Sequence, residues 1–110
     1  MVFLVWLDDI RPIDSKYDSY IRYGTYADPK SVNAAKYWIE EAEKFGYKNF
    51  IIDLDHDLGD YFDDGGDGIK LLDWLIETGR NTPNYKIKLH TMNPVGRENM
   101  QRIVNKYWYN

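Results

Sequence analysis

Two short runs in this chain are apolar at almost every position, and each stops at a group of acids. The first is Val2 to Leu7, VFLVWL, closed by Asp8 and Asp9. The second is Phe50 to Leu54, FIIDL, interrupted by Asp53 alone and followed by Asp55, His56 and Asp57. Runs this short, rich in β-branched and aromatic residues and ended by Asp, read as strands. Successive strand residues point to opposite faces, so a strand apolar throughout is covered on both. Two such strands belong in the middle of a sheet, with their acids at its carboxyl end.

The rest of the chain supplies the cover. Arg11-Pro12 and the polar run Asp14 to Asp18 form a connection. Tyr20 to Tyr26, YIRYGTY, alternates and reads as a weaker, half-exposed strand. Asp28-Pro29 marks a helix start, with Ser31 a second candidate cap. Val32, Ala35, Trp38, Ile39, Ala42 and Phe45 then recur at helical spacing up to Gly46. A second helix covers Gly68 to Thr78, and Gly79 stops it. Lys86 to His90, KIKLH, alternates as an edge strand. Asn93-Pro94 opens a last helix with Met100, Ile103, Val104, Tyr107 and Trp108 on one stripe. The four tryptophans, Trp6, Trp38, Trp74 and Trp108, all fall in apolar patterns and are expected in the core.

Alternating strands and helices predict an α/β fold, a small open, mostly parallel four-stranded sheet of order 2-1-3-4 with right-handed crossovers. Residues 8–19 are short for a parallel crossover, so an antiparallel second strand is the alternative. A length of 110 residues fits one domain, 1–110. The net charge of −4 provides no attraction for non-specific DNA binding. With no cysteine there is no disulfide frame and no zinc-thiolate site. The N-terminal MVFLVWLDD lacks the basic flank and cleavage site of a signal peptide, and no stretch is long enough for a membrane span. A cytoplasmic protein with no membrane partner is expected.

In an open parallel sheet ligands bind beyond the carboxyl ends, where the strand order reverses. That point falls between the two apolar strands and gathers acids distant in sequence. Asp8, Asp9 and Asp55 offer hard oxygen ligands for Mg²⁺ or Mn²⁺. His56 and His90, the two histidines of the chain, stand at neighbouring strand ends, one placed to act as base and the other as acid. Asp57 either shares in the catalysis with Asp55 and the histidines or fixes the loop as Asx side chains do. Thr91, Asn93 and the last helix's N-terminus suit an anion, and Arg97 and Arg11 suit bidentate phosphate contacts. Asp60, Asp63 and Asp64 read as solvated turn residues, and Asp67 as a turn residue or the cap of the second helix.

The motifs carry a resemblance. Acids after the first strand, an aspartate after the third and Thr91 after the fourth are similar to the response-regulator receiver domain, a flavodoxin-like fold. LDDIRP at Leu7 to Pro12, LDHDLGD at Leu54 to Asp60, DGIKLLDWL at Asp67 to Leu75 and HTMNPVGRENM at His90 to Met100 resemble, more specifically, the cyclic-phosphate processing receiver domain family. The resemblance implies a Mg²⁺ site on the three acids and a role with cyclic phosphates, nucleotides or RNA ends. The chain departs from a receiver in three ways: no fifth strand with its lysine, a first helix reduced to a turn, and His56-Asp57 in place of an aliphatic pair. A plain phosphorylation switch is therefore not expected. Metal-assisted hydrolysis of a cyclic phosphodiester is the leading expectation. A phospho-ligand binding module without turnover, and a degenerate receiver acting through protein contacts, are the alternatives. The closing YWYN is a candidate homodimer contact.

Overall fold

The two apolar runs are the inner strands of the sheet in the computed structural model of the chain, which describes residues 1–108. β1 (Val2–Leu7) pairs in parallel with β3 (Asn49–Leu54), from Val2 opposite Asn49 to Leu7 opposite Leu54. β2 (Tyr26–Ala27) lies outside β1 and β4 (Tyr85–Leu89) outside β3, both parallel. The order is 2-1-3-4, the receiver-like α/β arrangement. Four helices connect or follow the strands: α1 (Asp18–Tyr23), α2 (Val32–Phe45), α3 (Ile69–Glu77) and α4 (Pro94–Tyr107).

The two faces of the sheet are covered unequally. Phe3, Val5 and Leu7 of β1, Phe50, Ile52 and Leu54 of β3 and Ile87 of β4 share one face and one core. Helices α2, α3 and α4 pack there through Ala35, Ile39, Leu71, Leu75, Met100 and Val104. The opposite face carries Leu4 and Trp6, covered by Tyr17 with Ile13, Tyr20 and Tyr26. Each fully buried aliphatic side chain contributes roughly 1.5–3 kcal/mol, so the three-helix face holds most of the hydrophobic stabilisation. Among the described residues no helix is long and apolar enough to cross a membrane.

The segment expected as the second strand is mostly helix. Residues 18–23 form α1, preceded by a 3-10 turn at Ser15–Tyr17, and β2 is limited to Tyr26–Ala27. Tyr17 and Tyr20 are three apart, so one turn of helix turns both towards the sheet, and their rings meet edge-on with centroids 5.8 Å apart. Gly24, with φ +68°, ends the helix in the left-handed conformation. The crossover thus runs from residue 8 to residue 25, long enough to be parallel, and the antiparallel alternative falls. A helical turn satisfies the aromatic spacing better than a strand that alternates.

Other local details differ from the sequence pattern. Ser31, not Asp28, caps α2, its hydroxyl accepting from the Ala34 amide at 3.1 Å. Trp38 (44% exposed) and Phe45 (85%) are outside the core, because the buried stripe of α2 runs Val32, Ala35, Ile39, Ala42. Trp74 is half-buried, with the Arg80 guanidinium 4.4 Å above its ring. Asp67 does not cap α3 with its side chain; its carboxylate accepts from the Leu58 amide at 3.2 Å. Asp64 is also more than a turn residue, since it accepts from Ser31 and Asn33 at the start of α2. Of the closing YWYN, Tyr107 is exposed, Trp108 is buried with its indole N–H on the Tyr85 carbonyl, and residues 109 and 110 lie outside the described residues.

One polar staple joins the helical layer to the edge strand. Glu43 of α2 accepts two bonds from Arg80, each 2.8 Å, and one from the Tyr85 hydroxyl. The Arg80 hydrogen bonds hold the Glu43 carboxyl below the usual glutamate range against the opposing effect of burial. A lowered folded pKa contributes stability above the unfolded value, and that stability is lost as pH falls through the folded one. We expect Glu43→Gln to cost about 1–3 kcal/mol in urea unfolding at pH 7. The difference from wild type should shrink as the pH is lowered below the ordinary glutamate range; an unchanged gap at acid pH would contradict the staple.

Candidate functional site

The carboxyl ends of β1 and β3 bring the acids together. Continuation of the β1–β3 ladder, with the Asp55 amide donating to the Leu7 carbonyl at 2.9 Å, sets Asp55 beside Asp8 and Asp9. Asp8, Asp9 and Asp55 each offer a carboxylate oxygen, all within 4.8 Å of one another. Asp8 is buried and well held: one oxygen accepts from the amides of Ile10 and Arg11, both at 2.8 Å. This Asx-type turn is why the chain can leave a buried strand abruptly at an acid. The Asp9 carboxylate fits because residue 59 is glycine; a Cβ there would stand 2.6 Å from an Asp9 oxygen.

A recess of about 330 Å³ opens over the acids. Asp8, Asp9, Arg11, Asp55, Asp57, Thr91 and Asn93 line it, with Ile10 and Met92 at its sides. Thr91 is buried and its hydroxyl accepts from the Asn93 amide at 3.1 Å. Asn93 caps α4 by accepting from Gly96 at 3.0 Å and donates its side-chain amide to Asp57. Arg11 is held by donating to the His90 carbonyl at 2.9 Å. Arg97 is elsewhere: it donates to the Leu89 carbonyl at 3.2 Å and faces the free edge of β4.

The two histidines share a rim but leave it in opposite directions. Trp6, Asp53 and Lys88 are in register across β1, β3 and β4, and so share a face. His90 lies two residues past Lys88 on that face, its ring stacked on Trp6 at 3.9 Å and 4°. His56 lies three residues past Asp53 and turns the other way, against Gly96 of α4, where a Cβ would stand 2.5 Å from the imidazole. The side-by-side pair of imidazoles expected from the sequence is not what the fold builds.

Hydrogen bonding separates their chemistry further. Both nitrogens of His90 meet carboxylates, Nδ1 at 2.7 Å from Asp53 and Nε2 at 2.9 Å from Asp8. A carboxylate opposite each nitrogen favours a proton on both. Burial opposes that charge, but the bonds to Asp53 and Asp8 outweigh it and hold the His90 pKa above the ordinary histidine value. His56 has one such partner, Asp57, at 2.8 Å from Nδ1, which leaves Nε2 as its nitrogen for proton exchange. That bond to His56 lowers the Asp57 pKa.

The acids themselves are pushed apart. Burial raises the Asp8 pKa, but the Arg11 and Ile10 amides and His90 together bring it below the usual range. Asp9 is raised, first by burial and then by the charges of Asp8, Asp55 and Asp60. The trio therefore stores like-charge repulsion that a hard divalent cation relieves, and its all-carboxylate donor set suits Mg²⁺ or Mn²⁺.

Sequence reasoning passed over Asp53 and Tyr17. Asp53 is 1% exposed, and its second oxygen accepts from the Tyr17 hydroxyl at 2.7 Å. The signal was present: an acid inside a buried strand must find partners. We expect the His90 ring to titrate above the ordinary histidine range by NMR in wild type, and lower in Asp53→Asn. Tyr17→Phe should cost about 1–3 kcal/mol by leaving a buried carboxylate oxygen without its donor. A His90 titration indifferent to Asp53→Asn would contradict the buried chain of bonds.

The motifs that build this site match a known family. The Cyclic-phosphate processing Receiver domain matches residues 3–106, from the second residue of β1 into the last turn of α4. No curated protein and no solved structure matches the chain. With strand order, acid positions and the Thr91-Asn93 segment all inside the matched span, the chain belongs to the cyclic-phosphate processing receiver domain family.

Proposed function

We propose that the recess over Asp8, Asp9 and Asp55 holds a divalent cation and the phosphoryl group of a small cyclic phosphate or nucleotide, and opens the cyclic diester by hydrolysis. The observation that carries this reading is the convergence of three carboxylate oxygens within 4.8 Å beside Arg11, Thr91 and Asn93. Asp8, Asp9 and Asp55 are the residues to hold Mg²⁺ or Mn²⁺. A cation bound there supplies charge neutralisation for phosphoryl oxygens and a lowered pKa for a water.

The chain's own residues supply the rest. Arg11 is held at the recess by the His90 carbonyl and can turn its remaining N–H groups to phosphoryl oxygens. The start of α4 adds a favourable dipole for an anion beside Thr91 and Asn93. Hydrolysis forms a bond from water oxygen to phosphorus, breaks one ring P–O bond and delivers a proton to the released oxygen. His56 is the proton-transfer group: with Asp57 on Nδ1 fixing its tautomer, Nε2 accepts the water proton and returns it to the released oxygen. His90 is a positioning residue: as an imidazolium it holds Asp8 in place through Nε2.

A second reading, ligand binding without turnover, is favoured by one observation. Both nitrogens of His90 are engaged, so the site has one imidazole available for proton transfer where the sequence pointed to two. Purified protein incubated with Mn²⁺ or Mg²⁺ and a panel of 2′,3′- and 3′,5′-cyclic nucleotides decides between them. We expect turnover, reduced on the order of 10²–10⁴-fold in His56→Ala with ligand affinity largely kept. Divalent metal should raise the melting temperature, and Asp55→Asn should remove most of that rise. Tight retention of a cyclic nucleotide without cleavage in any divalent metal would replace hydrolysis with binding. A melting curve indifferent to metal would remove the cation site.

A further inference from the structure

β4 is the last strand of the described sheet, and along its free edge lies a recess of about 290 Å³ separate from the acidic one. Three cationic residues from three elements line it: Lys16 before α1, Lys88 of β4 and Arg97 of α4. His90, Asp53 and Gln101 are also at its wall. Among the described residues none of the three cations has a carboxylate within ion-pair distance. Asp53 does not serve them, since its two oxygens are taken by His90 and Tyr17.

The position of Arg97 sharpens the point. It lies in the first turn of α4, where the helix dipole disfavours a cation, and that turn contains no acid. Its neighbour Glu98 is paired with Arg102 at 3.1 Å. The guanidinium is nevertheless held at the recess by the Leu89 carbonyl, with its other N–H groups unused by that bond. In a chain of net charge −4, three unpaired cations around one recess repel one another and the helix end alike. An anion with several acceptor oxygens relieves both, and a guanidinium beside two ammonium groups matches phosphate.

We propose that this recess is a second anion site, independent of any metal, that takes a phosphate group through Lys16, Lys88 and Arg97. The phosphate is either a terminal one or an internal phosphodiester of a longer ligand. The site goes beyond the cation-dependent reading of the acidic recess and does not require it.

The test is an amide NMR titration of the full chain in EDTA, which removes metal-dependent binding over the acids. One arm uses pyrophosphate, and the other a short oligonucleotide lacking terminal phosphates. We expect saturable shifts at Lys88, Leu89, Arg97 and Gln101 in at least one arm. Saturation by pyrophosphate alone assigns the site to terminal phosphates, and saturation by the oligonucleotide assigns it to internal diesters. The Lys88→Gln/Arg97→Gln double variant should lower the affinity about tenfold or more while its melting temperature stays close to wild type. Shifts that never saturate in either arm would overturn the proposal. So would saturable shifts centred on Asp9, Thr91 and Asn93 that the double variant leaves unchanged.

Discussion

A chain of buried hydrogen bonds, Tyr17 to Asp53 to His90 to Asp8, ties together the ends of β1, β3 and β4. It places two carboxylates and an imidazole inside an otherwise apolar sheet, where unpaired charge is strongly disfavoured. Every oxygen and nitrogen of Asp53 and His90 side chains is used, and no buried side-chain polar atom among the described residues lacks a partner. The stack of His90 on Trp6 closes the arrangement from the sheet side. Because Asp8 is held by His90 through one oxygen and by the Ile10 and Arg11 amides through the other, its carboxylate has little freedom. The orientation of the acidic recess therefore derives from a network that runs along the Trp6 and Asp53 face of the sheet up to Asp8.

The unequal cover of the two faces gives that network its setting. Three helices bury one face in a continuous core, while a 3-10 turn and the short α1 cover part of the other. Tyr17 has two functions there. Its ring packs edge-on to Trp6, and its hydroxyl satisfies Asp53. Towards β4 this cover stops, and Lys88 and His90 meet Lys16 and Arg97 along an open edge. Opposite charges are thus sorted across one rim, with acids over β1 and β3 and cations beside β4. The two proposed sites, one built on carboxylates and one on cations, thus lie along one rim of the sheet.

Membership of the cyclic-phosphate processing receiver domain family accounts for the sheet and the acid positions. The histidines distinguish the site from a simple acid cluster, and they have unequal chemistry. His90 has both nitrogens engaged, by Asp53 and Asp8, and these contacts favour its protonated form. His56 rests over Gly96 with its tautomer set by Asp57, so a glycine in α4 is part of the site's construction. The proposed proton-transfer role falls to His56 for that reason.

The linear sequence alone determined the two central strands, the strand order 2-1-3-4, the Asn93 cap and the convergence of Asp8, Asp9 and Asp55, while the direction of the second strand came from the fold. These follow from local pattern: an all-apolar run has few options other than an inner strand, and acids that end two adjacent parallel strands must meet at one rim. The family motifs were legible for the same reason, being contiguous. Tertiary structure decided what depends on side-chain direction and on partners far along the chain. Whether Tyr20 and Tyr23 lie in a strand or a helix turned on Tyr17 and Tyr20 packing over the sheet. Whether His90 is free or locked turned on Asp53 and Asp8, 37 and 82 positions away. Which way His56 and His90 point turned on strand parity counted from a register that becomes visible once the strands are paired. Arg97 left the acidic recess because its place on the first turn of α4 directs it to the Leu89 carbonyl, a contact set by helix packing that local sequence does not encode.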